Sequence, residues 1–156
     1  SFAVGIGNDI NSRKNGLMVL KNGKMIVGQH SSLPSVGGET LHVLGSIKTA
    51  GNYFSDYVFE DYFTGNSTLK ADYKFKSIYD TEKFIKENHH LPGVTSINEL
   101  EKTENGYSFN ITDLSTQTLE KVEELYLHTI EQQKQIDELK DIVKQQQKQI
   151  DQLLKK

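Results

Sequence analysis

The segment Gln132-Gln133-Lys134-Gln135-Ile136-Asp137-Glu138-Leu139 returns fourteen residues later as Gln146-Gln147-Lys148-Gln149-Ile150-Asp151-Gln152-Leu153, and fourteen is two heptads. That repeat predicts a coiled coil. In its frame the a positions are Val122, Thr129, Ile136, Val143 and Ile150, and the d positions are Leu125, Gln132, Leu139, Gln146 and Leu153. A polar helix with one apolar stripe can bury that stripe only against other helices, so the last third of the chain predicts a homo-oligomer. β-branched a residues with Leu at d favour two strands. Leu119, Tyr126, Ile142 and Leu154 at e or g widen the stripe and favour three. Gln132 and Gln146 give up burial at two d layers and are expected to fix register by hydrogen bonds across the axis.

Some forty of the 156 residues are spent on this helix, roughly 60 Å at 1.5 Å per residue. The remainder is too small for a large enzyme core. With 35% hydrophobic residues and no Trp, a protomer is expected to share its core with its partners. A net charge of −3 gives no electrostatic reason to expect nucleic acid or an anionic membrane, and no segment reads as a membrane span. Without Cys the chain has no disulfide, thiolate chemistry or Cys-based metal site. The opening Ser1-Phe2-Ala3-Val4-Gly5-Ile6-Gly7 lacks Met and already alternates like a strand, so the chain reads as the C-terminal piece of a longer polypeptide.

Nine of the twelve Gly residues fall in the first 51 positions, between short apolar runs. This pattern predicts strands with frequent turns. Leu17 to Leu20 and Met25 to Val27 flank Asn22-Gly23, a hairpin signal, and Leu41 to Leu44 and Ile47 give further strands beyond Pro34-Ser35-Val36-Gly37-Gly38. Such short strands suit a β-roll or prism whose faces come from three chains. At Tyr53 the composition changes to aromatics and acids, and most of these aromatics are expected in a core. Ser77 with Asp80 predicts a helix from Ile78 to about Asn88, stopped by Pro92-Gly93. Ser96 with Glu99 predicts a second, Ile97 to Lys102. Tyr107, Phe109 and Ile111 alternate as a strand, and Thr112 or Asp113 is placed to cap the long helix.

The stretches Tyr57-Val58-Phe59-Glu60 with Tyr73, Phe84-Ile85-Lys86-Glu87-Asn88-His89-His90-Leu91-Pro92-Gly93, and Leu119 to Leu127 together resemble the C-terminal region of tail-fibre-domain proteins of Bacteroidetes and their phages. Leu41-His42-Val43 and Gly45 to Gly51 are similar to the shaft that precedes that region, and the resemblance spans about Leu41 to Ile136. It implies a trimeric extracellular fibre that attaches to a host or target cell surface, carried by a phage, a contractile injection system or a cell. The implied partners are a surface receptor or glycan and upstream fibre or baseplate components.

A more distant resemblance is to the intramolecular chaperone of endosialidases, which drives trimerisation and cuts itself off at a Ser-Asp step. Ser55-Asp56 occupies that place, with Ser55 as the hydroxyl nucleophile and Asp56 as its candidate base or acid, but Tyr57-Val58-Phe59-Glu60-Asp61 stands where such chaperones carry a basic residue. The alternative to self-cleavage is a turn at Ser55-Asp56. His89-His90 near a helix end reads as structural, since adjacent side chains diverge, so no metal or other cofactor is expected. The fold expectation is α+β: a β-roll or prism shaft over residues 1–54, a small aromatic-rich α+β domain over 55–112, and a parallel coiled coil over 113–156, in an intertwined homotrimer. Its expected role is assembly and attachment, not enzymatic.

Overall fold

In the computed structural model the described residues are 2–6, 14–30, 38–51 and 54–155, and they form a mixed α+β fold with two small sheets and one long C-terminal helix. The Pro34-to-Gly37 separator and Tyr53 lie outside the described residues. The chain divides into two compact units, Ser1–Thr49 and Ala50–Lys156.

The first unit is a four-stranded sheet in the order β1 (Phe2–Ile6), β2 (Lys14–Val19), β3 (Met25–His30), β4 (Leu41–Val43), antiparallel except for the parallel pair β3 and β4. The hairpin at Asn22-Gly23 forms: Leu20 N–H donates to the Lys24 carbonyl at 2.8 Å, and Gly23 takes the left-handed conformation at φ 82°. Gly28 is fixed by packing, because a Cβ on it would sit 2.7 Å from both Cβ and the carbonyl oxygen of Leu44. Met18 and Ile26 are cross-strand partners and are buried on one face. The register puts Phe2, Val19, Met25 and Leu41 in one row of the other face, and Val4, Leu17, Val27 and Val43 in the next. All eight are apolar, yet they are only partly covered. The residues around Ile47 belong to no strand, and Ile47 itself is exposed, contrary to the sequence expectation.

The second unit is organised on α3 (Ile111–Leu154), a single helix of 44 residues, about 66 Å long. It is capped by Asn110, whose Oδ1 accepts from the N–H groups of Thr112 and Asp113, and not by Thr112 or Asp113 themselves. Against it packs α1 (Tyr57–Thr64), a helix that the sequence reading missed, since Tyr, Val, Phe and Thr favour strands. Its limits have local causes. A turn at Ser55-Asp56 precedes it, and left-handed Gly65 at φ 82° ends it with an N–H to the Asp61 carbonyl at 2.8 Å.

α2 (Ile78–Asn88) begins at the expected box, with Ser77 Oγ accepting from Asp80 N–H at 3.1 Å. Left-handed His89 at φ 60°, not Pro92-Gly93, stops it. Ile97–Glu99 makes one 3₁₀ turn in place of the longer helix expected to Lys102, because β5 (Glu101–Thr103) pairs antiparallel with β6 (Gly106–Ser108). The expected Tyr107-to-Ile111 strand therefore ends at Ser108. The aromatics also divide differently from expectation: Tyr57 and Tyr73 are buried with Val58 and Leu127, whereas Phe54, Phe63 and Tyr79 are exposed.

Gly93 follows buried Pro92 in the left-handed conformation at φ 73°, and a Cβ there would lie 2.7 Å from Glu120 Oε1. Gly93→Ala is therefore expected to cost about 1–3 kcal/mol, from backbone strain and displacement of a buried carboxylate. Denaturant unfolding of the full chain checks this; a stability unchanged from wild type would mean that the turn moves freely away from α3.

Candidate assembly site on the long helix

α3 carries two opposed faces. Its N-terminal half buries Glu120, Glu123, Leu127 and His128, at heptad positions f, b, f and g, against the rest of its own unit. A face so rich in acids is buried only because partners are supplied. The Tyr57 hydroxyl donates to Glu120 Oε2 in a short bond. Tyr73 donates to Glu124 at 2.8 Å and Tyr62 to Glu131 at 3.0 Å. Lys121 Nζ lies 2.7 Å from Glu120 Oε1 and 2.8 Å from Glu124, while Lys70 reaches Glu120 at 3.3 Å and stands 4.7 Å above the Tyr57 ring.

The charges respond to these surroundings. Burial pushes the Tyr57 and Tyr73 hydroxyls far above the usual phenol range, and the glutamates they bond add to it. Burial also raises Glu120, but bonds from Lys121 and Tyr57 with the lysine charges leave it below its ordinary value. Asp61 is lowered by Lys74 at 2.8 Å and by the Phe75 N–H. Glu60, bonded by Ser67, Thr68 and the Leu69 N–H, is lowered to about 2.

Glu123 goes the other way. Burial, then the charges of Asp56 and Glu120, raise it. Ser55, fully buried in the turn before α1, faces it, but Ser55 Oγ and Glu123 Oε2 make no hydrogen bond of normal geometry, so the hydroxyl offsets only part of the burial.

The opposite face of α3 is covered by nothing in its own unit. Val122, Leu125, Ile136, Leu139, Val143, Ile150 and Leu153 are all exposed, Leu125 and Leu139 at 59% each, and so are Thr129, Gln132 and Gln146. Thus all ten residues read from the sequence as the oligomerisation set lie on one uncovered stripe. The heptads could not reveal the acidic back of the helix, since Glu120, Glu123 and Glu124 look like an ordinary solvated surface. The one available signal was four Tyr residues, Tyr57, Tyr62, Tyr73 and Tyr79, whose hydroxyls need acceptors when buried; only Tyr79 stayed exposed.

His89 closes α2, and His90 packs its ring on Phe84 with centroids 5.2 Å apart. Among the described residues no group of three His, Asp or Glu is placed to hold a metal, and no helix is long and apolar enough to cross a membrane. No protein-family model, curated protein or solved structure matches the chain.

Because the folded state holds the Glu123 proton more tightly than the unfolded chain does, this group's contribution falls as pH rises from the ordinary glutamate range through its raised value. Glu123→Gln mimics the protonated acid. It is expected to melt higher than wild type at neutral pH, with the difference vanishing near about pH 4. Thermal melts across that range check this; a gain independent of pH would assign the effect to packing.

Proposed function

We propose that the chain is the structural, adhesive tip of a trimeric extracellular fibre, in which α3 forms a parallel three-stranded coiled coil that drives trimerisation and sets register. The observation that carries this reading is the division of α3 into a back occupied by its own unit and an uncovered a and d stripe continuing from Val122 to Leu153. The resemblance to tail-fibre-domain proteins supports it. So does the apolar face of the N-terminal sheet: two four-residue rows left partly open in the protomer suit a prism whose faces come from three chains. A parallel coil holds the three sheets close, raising their effective concentration and favouring pairing between chains. The partners are a cell-surface receptor or glycan at the target, and upstream fibre or baseplate components of a phage, an injection system or a cell surface.

The second reading is an intramolecular trimerisation chaperone that releases itself at Ser55. Burial of Ser55 beside Glu123 is the observation that favours it: the two side chains make no hydrogen bond of normal geometry, and Glu123, not the exposed Asp56 read from the sequence, would take the hydroxyl proton once they close. The oxygen would attack the Phe54 carbonyl, the Phe54–Ser55 amide would pass to an ester, and water would hydrolyse that ester. The first reading expects one intact mass in fresh and aged protein. A fragment beginning at Ser55, absent from Ser55→Ala, would establish the second.

Light scattering of the full chain at micromolar concentration is expected to give a trimer. Ile136→Asp with Leu139→Asp should abolish it, because each chain loses burial worth roughly 1.5–3 kcal/mol per side chain and sets charges beside their symmetry mates. A monomeric wild type would remove the fibre reading, and a double variant that stays trimeric with unchanged melting would shift trimerisation to the sheet.

A further inference from the structure

The segment between α1 and α2 is anchored at both ends, and its last residues line a cavity with α2. Buried Asp61 on α1 holds it from one side: Lys74 Nζ donates to Asp61 Oδ1 at 2.8 Å and to the Gly65 carbonyl at 2.7 Å, and the Phe75 N–H donates to Asp61 Oδ2 at 2.8 Å. The Ser77 cap of α2 holds it from the other. Lys76 stands between these anchors. α2 supplies the rest of the lining, and the space is about 390 Å³, within the roughly 300–1,000 Å³ of small-molecule sites.

The lining combines rings, cations and acids. Phe75 and Phe84 are half-buried and held by neighbouring rings, Phe75 edge-on to Tyr62 with centroids 5.0 Å apart and Phe84 edge-on to His90 at 5.2 Å. They give the cavity a fixed apolar surface. The Lys74 charge is matched by Asp61, whereas among the described residues the ammonium groups of Lys76 and Lys83 have neither a hydrogen bond nor an ion pair; Lys70, Lys86 and Lys121 of the same unit all have one. Two unmatched cations on one cavity favour an anion. Asp80 is drawn to the Ser77 hydroxyl at 2.7 Å, which leaves the exposed carboxylate of Glu87 as an acceptor. That carboxylate opposes a ligand with several negative charges, and it takes hydrogen bonds from hydroxyls.

One negative charge, several hydroxyls and an apolar ring face are together the chemistry of an acidic sugar. We infer that the cavity between α2 and residues 74–76 binds a sugar unit carrying a single negative charge, with the anion at Lys76 and Lys83, the carbon face of the ring on Phe75 and Phe84, and hydroxyls donating to Glu87. The two lysines and Glu87 are exposed, so the cavity opens to solvent and leaves room for a glycan chain to continue out of it. The inference rests on the attachment reading for the source of that sugar and names its class. The site itself is built within one protomer and does not depend on the coil. It also gives a use to α2, none of whose residues is buried.

The test is ¹⁹F NMR of the full chain labelled with 4-fluorophenylalanine, titrated with glucuronic acid, glucose and inorganic phosphate, the Phe75 and Phe84 signals being assigned from Phe75→Leu and Phe84→Leu. Glucuronic acid is expected to shift both signals at lower concentration than glucose. Lys76→Gln with Lys83→Gln should raise its midpoint about tenfold and leave that of glucose unchanged. Signals that do not move with glucuronic acid, or a double variant that binds it like wild type, would overturn the site. Phosphate acting with the same midpoint would overturn the sugar assignment, leaving an anion contact alone. A chain that is monomeric by light scattering and still binds glucuronic acid would remove the trimeric fibre and keep the site.

Discussion

Three tyrosine hydroxyls on one row of glutamates hold the second unit together. Tyr57 on Glu120, Tyr73 on Glu124 and Tyr62 on Glu131 join α1 and the segment behind it to the back of α3. The first two bonds satisfy phenols that burial leaves without water and carboxylates that would otherwise be costly to enclose, while the third joins half-buried Tyr62 to Glu131, itself only partly covered. Lys70 and Lys121 neutralise Glu120, and only Glu123 remains a buried acid raised by its surroundings. Shifting either helix by one turn would unpair several of these groups at once, so the polar contacts specify the register of the small body on the rod more sharply than the small cluster of Tyr57, Val58, Tyr73 and Leu127 could alone.

That attachment has a consequence for the other side of the helix. By occupying positions b, c and f, the small body leaves a and d untouched along the whole rod. Had α1 been held by apolar residues alone, the helix would have offered two competing greasy faces, and either could have paired with a neighbour. A charged back that is satisfied internally and an apolar front that is not are a division of labour, and it orients any partner helix to one face.

The legible parts of the fold were those with local causes. Asn22-Gly23 made its hairpin, Ser77 with Asp80 started α2, and the heptads ran as one helix. Errors arose where a distant contact overrode a local signal. Tyr57–Thr64 has the composition of a strand and is a helix because its buried face meets α3. The Ser96 box yielded one 3₁₀ turn because Glu101–Thr103 found a strand partner in Gly106–Ser108. Asn110 outcompeted Thr112 and Asp113 as a cap because its Oδ1 reaches both first-turn N–H groups.

Sequence alone determined the long helix and the identity of its apolar stripe, because a heptad repeat needs only the fixed 3.6-residue turn to place residues on a face. It also showed that this stripe, apolar at most of its positions, is the face a partner helix would take. Which side of the helix carries the rest of the chain was decided only in three dimensions, because surface-like glutamates become interior residues when tyrosines far away in sequence arrive with matching hydroxyls.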